Sequence, residues 1–354
     1  MPTVIRSLAT ANPPRYVTGP EAFAFFAAHF DLAKEEQELY RRLLVDGPIR
    51  GRYMGLDHDE QICQMTPDEQ LARFQKFAVA TAAQAGREAI RLAALQACDI
   101  GGLVVNTCTG YLCPGLSSYV AEALGLEESI LATDLAGMGC GAAIPNLQSA
   151  AGLLALSNGH GKPVLAVAAE VCSATIFMGA DPGLIVSNCL FGDGAAAAVL
   201  DSRPADGHEP VARLVDFEAG LFPAYREQLR YRHENGRLRN TLGIRVPVIG
   251  ARTIQQVAER LLARNGLSVS QIDWWAIHPG GTLVLEQVGK TMGLSEQALR
   301  YSYDVLREYG NMSSPSVLFV LKRILEQGRP AHGQKGLLLS FGAGFSAFAA
   351  LVEF

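Results

Sequence analysis

At 354 residues, 49% hydrophobic and 18% charged, the chain exceeds the roughly 250 to 300 residues at which one core stops growing, so two core-sized halves of a well-buried α/β protein are expected rather than disorder. A formal net charge of −5 with scattered basic residues argues against a nucleic-acid partner. With no basic-apolar-small leader and no apolar run of about 18 residues, the expectation is a cytoplasmic protein without a membrane partner, and seven cysteines without CxxC spacing speak against a disulfide framework or metal site.

In chain order, residues 20–45 and 66–96 carry apolar residues at helical spacing, Phe74, Phe77, Ala78, Ala82 and Ala85 among them, so the N-terminal quarter reads as helical. From about residue 100 the pattern changes to short apolar runs alternating with longer helical stretches. GLVVNTCT reads as a strand, residues 116–125 as a helix, GMGCGAA as a tight turn and LQSAAGLLALSN as a helix. PVLAVAAEVC and AAAAVLD read as strands. Strands alternating with helices at this spacing imply βαβ units and a mixed, largely parallel sheet.

The second half repeats this plan. DWWAIHPGG is a strand ending in glycines, as GLVVNTCTG is; YGNMSSPSVLFVLKRIL enters a helix from a small-residue turn, as AGMGCGAAIPNLQSA does; and GLLLSFGAGFSAFAALVEF echoes LFGDGAAAAVLD. Two halves related by duplication, residues 1–203 and 204–354, would bring equivalent loops to a central cleft. The polar ADGHEP and the Arg-rich YREQLRYRHENGRLRN read as connection and surface insertion between them.

Three residues stand out for chemistry. Cys140, between glycines and before a helix, occupies a turn that would present its sulfur at a helix N-terminus, where the partial positive charge favours a thiolate; a small buried cysteine fits the same turn. His278 follows an apolar strand and precedes Pro-Gly-Gly, so its ring should emerge at the strand end, whereas His58, His160, His208, His233 and His332 lie in polar, loop-like stretches and His29 on a helix. A satisfied core histidine fits the same pattern. Asn311, between Gly310 and Met-Ser-Ser, suits a helix cap as well as a functional amide. Together they fit one reaction. A thiolate accepts an acyl group from a thioester, and the enolate from decarboxylation of a malonyl thioester meets the neutral donors His Nε2–H and Asn N–H.

The ordered set GMGCGAAIPNL, LFGDGAAA, WAIHPGG, YGNMSSPSVLFVL and SFGAGF, with RYMGL at 52–56, resembles the signature of type III polyketide synthases, the chalcone and stilbene synthase family, over most of the chain. The resemblance implies the thiolase fold, an α/β duplication with αβαβα layers, and a homodimeric acyltransferase acting on acyl-CoA and malonyl-CoA without metal or redox cofactor. It gives Cys140 the nucleophile's place, His278 and Asn311 that of the decarboxylation pair, and Phe191 that of an aromatic gatekeeper between coenzyme A tunnel and cavity. Cys108, Thr109, Thr175 and Ser313 fall at cavity-lining positions. Cys113 falls where plant enzymes carry a methionine that crosses the dimer interface, and Gly342 and Gly344 fall in the loop of the cavity floor.

The sequence also departs from the plant pattern. Of three basic positions that grip the coenzyme A phosphates, Arg42 matches one while Leu39 and Asp46 hold the others. Arg41, Arg50 or a starter delivered by an acyl-carrier protein would compensate. No second aromatic gatekeeper falls around Arg239 to Ile244, which with the small Cys108 and Cys113 suggests an open cavity and a long or bulky starter. NTCTGYLCPGLSSYVAEALGL is closer to bacterial members making alkylresorcinols or alkylpyrones. The alternatives are a single-condensation ketoacyl synthase III-like enzyme, against which HPGG and GNMSS weigh, a Cys-dependent thioester hydrolase, and a non-catalytic scaffold, which the presence of Cys140 opposes.

Overall fold

The computed structural model describes residues 3–63, 66–156, 161–202 and 209–354. In chain order its elements are β1 (Thr3–Ala11), β2 (Arg15–Thr18), α1 (Gly19–His29), α2 (Lys34–Leu44), β3 (Gly51–Met54), α3 (Pro67–Leu92), β4 (Gly102–Thr107), α4 (Leu116–Leu124), β5 (Leu131–Ala136), α5 (Ala143–Leu156), β6 (Val164–Val171), α6 (Pro182–Leu190) and β7 (Asp193–Asp201). The second half continues with β8 (Ala212–Leu221), β9 (Leu229–Glu234), β10 (Arg237–Leu242), α7 (Val246–Arg264), β11 (Trp274–Ile277), α8 (Thr282–Met292), α9 (Glu296–Tyr309), α10 (Ser316–Arg323), β12 (Lys335–Gly342) and β13 (Ser346–Glu353).

Local chemistry sets the ends of these elements. The long α3 starts at Thr66, whose hydroxyl accepts from the Glu69 N–H while the Glu69 carboxylate accepts from the Thr66 N–H at 2.8 Å, a reciprocal cap with Pro67 in the first turn. Its stripe of Phe74, Phe77, Ala78, Ala82, Ala85 and Ala89 is buried, as the spacing predicts.

Nine strands form one sheet in the order β11-β12-β13-β8-β1-β7-β6-β4-β5. Its buried faces define the layers. Helix α3 covers the outer face of the β1-β7-β6-β4 half, and α7 and α8 cover the outer face of the β11-β12-β13 half. Between the halves α5 and α10 pack on both, with Ile144, Leu147, Val317 and Leu321 meeting Ala166 and Ala196 on one side and Leu338 and Ala350 on the other. Two faces of sheet therefore enclose a central helical layer between outer helices, the expected αβαβα arrangement, and the strand-helix alternation read from residue 100 onward is present.

Three expectations are corrected. The sheet is mixed, but β4-β5, β4-β6 and β11-β12 are its parallel pairs among the described residues, while the other neighbours run antiparallel. The strands after β6 and β12 return directly beside their predecessors, so the sheet is not largely parallel. The N-terminal quarter is not only helical, because β1 sits at the centre of the sheet between β7 and β8. Its Ser7 and Thr10 disguise the strand, yet Ser7 is buried with its hydroxyl donating to the Ala89 carbonyl. The Arg-rich insertion is a hairpin of β9 and β10 whose side chains reach the cavity. Most of ADGHEP lies outside the described residues, as do His160 and His208.

Candidate active site

Cys140 lies in a tight turn between β5 and α5, entered through Gly137 and Gly139 at φ +80° and +57°. Such angles favour glycine, and a Cβ on Gly139 would lie 2.8 Å from the Ala343 nitrogen. The end of β12 clamps this turn from the second half of the chain. Ser340 Oγ donates to the Gly141 carbonyl at 3.1 Å, and Gly342 lies so close that a Cβ there would stand 3.0 Å from the Cys140 nitrogen. Cys140 is 7% exposed, so its sulfur meets only what enters the cavity.

His278 follows β11, its N–H donating to the Leu339 carbonyl of β12 at 2.8 Å. Its ring is edge-on to Phe341 at 6.1 Å. The residue is 1% exposed and its Nδ1 has no hydrogen-bond partner. Burial alone lowers its pKa to about 3, so the imidazole is neutral and carries one N–H.

Asn311 is joined to Phe191 by a parallel bridge: its N–H donates to the Leu190 carbonyl and its carbonyl accepts from Gly192, both at 3.0 Å. Its Oδ1 accepts from the Ser313 N–H at 2.7 Å, which turns the amide nitrogen outward as a donor. Ser313 itself holds φ +60°, an uncommon angle for a residue with a Cβ, of the kind that gathers at functional sites.

The Asn311 and Ser313 side chains lie close enough to the Cys140 thiol to lower its pKa, so these three groups converge from separate halves of the chain, while His278 is tied to β12 at Leu339 and Phe341 and lines neither of the spaces at the nucleophile. The charge state differs from the thiolate expected at the helix terminus. Burial raises the Cys140 pKa to about 12, the bonds from Ser313 and Asn311 pull it down, and Glu170 adds to the rise. Desolvation outweighs the helix terminus here, leaving a neutral thiol beside neutral donors.

A chamber of about 20 Å³ at Cys140 is lined by Phe191, Ser313, Cys108, Asn240 and Tyr231. A larger cavity of about 690 Å³ is lined by Cys108, Thr109 and Thr175, the first turns of α3 and the β9–β10 hairpin. Cys108, Thr109, Thr175, Ser313 and Phe191 thus each line one or both of these spaces. Cys113 is exposed and lines neither space. Of the glycine-loop residues Ala343 lines both, Gly342 backs the nucleophile's turn, and Gly344 lies against Ser346 and Leu221. The chamber is not the open one expected from the missing aromatic, because the hairpin fills it with Tyr231 and Asn240. Arg42 and Arg50 are exposed, whereas Arg41 is held by Glu38 and Asp46 at 2.8 and 2.7 Å.

Three residues at the site escape the sequence reading: Glu170, Tyr231 and Asn240. Buried Glu170 accepts from the Cys108 N–H and the Thr107, Thr109 and Ser314 hydroxyls at 2.7 to 3.1 Å, which fixes the loop carrying Cys108. A lone carboxylate within VLAVAAEVC was the available signal, since buried charges are rare unless paired. Tyr231 and Asn240 gave none, because they sit in a polar, Arg-rich stretch.

Among the described residues no helix is long and apolar enough to cross a membrane. The profile of the FAE1/type III polyketide synthase-like family matches residues 27–219, and that of the chalcone and stilbene synthase C-terminal domain matches residues 220–353. The chain is 32% identical to the 3,5-dihydroxyphenylacetyl-CoA synthase of Streptomyces toyocaensis over 88% of this chain and 82% of the relative. It is 30% identical to an alpha-pyrone synthesis polyketide synthase-like protein of Mycobacterium tuberculosis, covering 99% and 91%. The crystal structure of PKS-I from the brown alga Ectocarpus siliculosus superposes with a TM-score of 0.91 at 29% identity, covering 99% and 98%.

Proposed function

We propose, given that this chain belongs to the type III polyketide synthase family and is an iterative condensing acyltransferase, that Cys140 carries the growing chain while His278 and Asn311 stabilise the enolate. The observation that carries this reading is the meeting of Cys140, Ser313 and Phe191 around one chamber, with Asn311 bridged to Phe191 and close enough to the sulfur to lower its pKa.

The Cys140 sulfur attacks the carbonyl of an acyl-CoA starter, losing its proton as the C–S bond forms, and coenzyme A leaves as its thiol. The starter is then a thioester on Cys140. Malonyl-CoA loses carbon dioxide, leaving an enolate whose oxygen receives hydrogen bonds from His278 Nε2–H and the Asn311 amide. Because His278 is neutral, it donates without giving its proton away. The enolate carbon attacks the Cys140 thioester, the C–S bond breaks, and a β-ketoacyl-CoA two carbons longer is released to reload and extend again. The family assignment favours repeated extension over the single-condensation alternative, and the relatives' names point to an aromatic or pyrone product. No metal or redox group enters these steps.

Of Arg41, Arg42 and Arg50, exposed Arg42 and Arg50 are proposed to meet the coenzyme A phosphates, or an acyl-carrier protein delivering the starter, because Arg41 is held by Glu38 and Asp46. Among the described residues the edge strand β5 pairs only with β4 and is largely exposed, Leu131 being 58% exposed and Tyr111 76%. An open edge of this kind invites a second copy, which supports a homodimer with Cys113 near the seam; the proposed place of action is the cytoplasm, where coenzyme A thioesters would be met. Mass spectrometry of products from a panel of acyl-CoA starters with malonyl-CoA tests the chemistry, and light scattering tests the dimer. Absence of any malonyl-dependent product would defeat the reading.

A further inference from the structure

The chamber at Cys140 and the 690 Å³ cavity share Cys108, Gly139, Arg230, Tyr231 and Ala343 as walls, while Cys140, Phe191 and Ser313 line the smaller of these two and not the larger. About 20 Å³ is the room of a single water molecule. An acyl group on the sulfur cannot grow within it. The larger cavity is in the range that takes a drug-sized ligand, and a chain that grows into it passes the shared wall.

Among the shared walls, Gly139 and Ala343 are small and fixed by the nucleophile's turn, and Cys108 is pinned by its N–H to Glu170 at 2.9 Å. Arg230 is turned to Glu227 at 2.8 Å. Tyr231 is different. It stands opposite Asn240 in the β9–β10 hairpin, and directly opposed residues share a face, so both project from the hairpin toward Cys140. Thr175 Oγ1 donates to the Cys172 carbonyl at 2.8 Å and is left to accept from the Tyr231 hydroxyl at 3.1 Å. One neutral hydrogen bond is a weak tether. The ring already borders the larger cavity, which gives it room to turn.

Resting on the reading of Cys140 as the acyl carrier, we infer that Tyr231 is a gate that sets which starters, and how long a chain, pass from the sulfur into the 690 Å³ cavity. Closed on Thr175, the ring limits the acyl group at Cys140 to a few atoms. Turned aside, it joins the two spaces, and the cost of breaking its tether falls on long acyl groups at loading and on every chain during extension.

The test compares the full-length wild type with Tyr231→Ala and Tyr231→Phe on saturated acyl-CoA starters from acetyl to palmitoyl with malonyl-CoA, measuring kcat and KM for each starter and product lengths by mass spectrometry. Removing the ring should raise kcat/KM for long starters relative to acetyl by tenfold or more, chiefly through KM, and lengthen the products. Tyr231→Phe, keeping the ring but not the tether, should shift the ranking in the same direction by a smaller factor. Wild type and Tyr231→Ala with the same starter ranking and product lengths within twofold would overturn the gate while leaving the synthase intact. Should circular dichroism show that Tyr231→Ala does not fold, an unchanged ranking in Tyr231→Phe overturns it instead. A wild type that makes no malonyl-dependent product with any starter defeats the synthase reading, and the gate with it.

Discussion

Phe191 and Asn311 lie side by side in a parallel bridge that ties the end of α6 to the turn before α10. The bonds that make it are backbone bonds, from the Asn311 N–H to Leu190 and from the Gly192 N–H to Asn311. The position of residue 311 is therefore set by the main chain and its chemistry by the side chain, which allows the two to be separated. Asn311→Ala should keep the bridge, lose the donor toward Cys140 and lower the condensation rate on the order of 100-fold, the usual effect of removing an oxyanion donor. Steady-state kinetics beside a thermal melt within a few degrees of wild type would bear this out. Near-normal turnover would show that the oxyanion lies elsewhere.

Cys140→Ala should abolish product formation but leave slow release of carbon dioxide from malonyl-CoA, because His278 and Asn311 do not depend on the sulfur for their positions. His278 is held by Leu339 and Asn311 by Leu190. Radiolabelled malonyl-CoA distinguishes the two activities. Polyketide formed by this variant would remove Cys140 from the scheme.

What the sequence made legible follows from where the physical constraint was local. Glycines at 137 and 139, required by the positive φ before Cys140, and the apolar strand leading to His278 are visible in a short window. So are the alternating strands and helices of both halves. Long-range relations were not. The central strand β1 is recognised as a strand only by its neighbours β7 and β8, the directions of strand pairs depend on how the chain returns, and the protonation of Cys140 follows from burial that no motif encodes. The hairpin misled for the same reason. Residues 229–242 alternate polar and apolar with many arginines, so Tyr231 and Asn240 look exposed until the fold turns their face onto the nucleophile.

Acid should expose the burial of His278. Its pKa is lowered from an ordinary 6.5 to about 3 by burial, so between these values the unfolded chain binds a proton that the native chain refuses. Stability is then full above pH 6.5 and is lost as the pH falls through that window, by an amount on the order of a few kcal/mol at about 1.4 kcal/mol per pKa unit. His278→Gln cannot take up that proton, and its melting temperature should fall less steeply than that of wild type from pH 6.5 downward. Parallel curves for the two proteins would mean that the ring is protonated or solvated in the native state.

Gly342, against the nucleophile's turn, and Gly152, further along α5, should respond in opposite ways to one added methyl group. At Gly342 a Cβ would stand 2.1 Å from the Met138 carbonyl oxygen and 2.6 Å from the Gly141 nitrogen. Backbone on both sides of Cys140 must shift to admit it. Overpacking of this kind costs about 1–3 kcal/mol, and displacing the turn should slow acylation of Cys140, read as the mass of the acyl-enzyme over time, on the order of 100-fold, since an error of about 1 Å in a reacting group has that effect. At Gly152, on the exposed side of α5, a Cβ meets nothing within 4 Å. Gly152→Ala should therefore raise stability by about 0.5–1 kcal/mol through helix propensity with acylation unchanged. If Gly342→Ala acylates as fast as Gly152→Ala, the contact between β12 and the Cys140 turn does not position the sulfur.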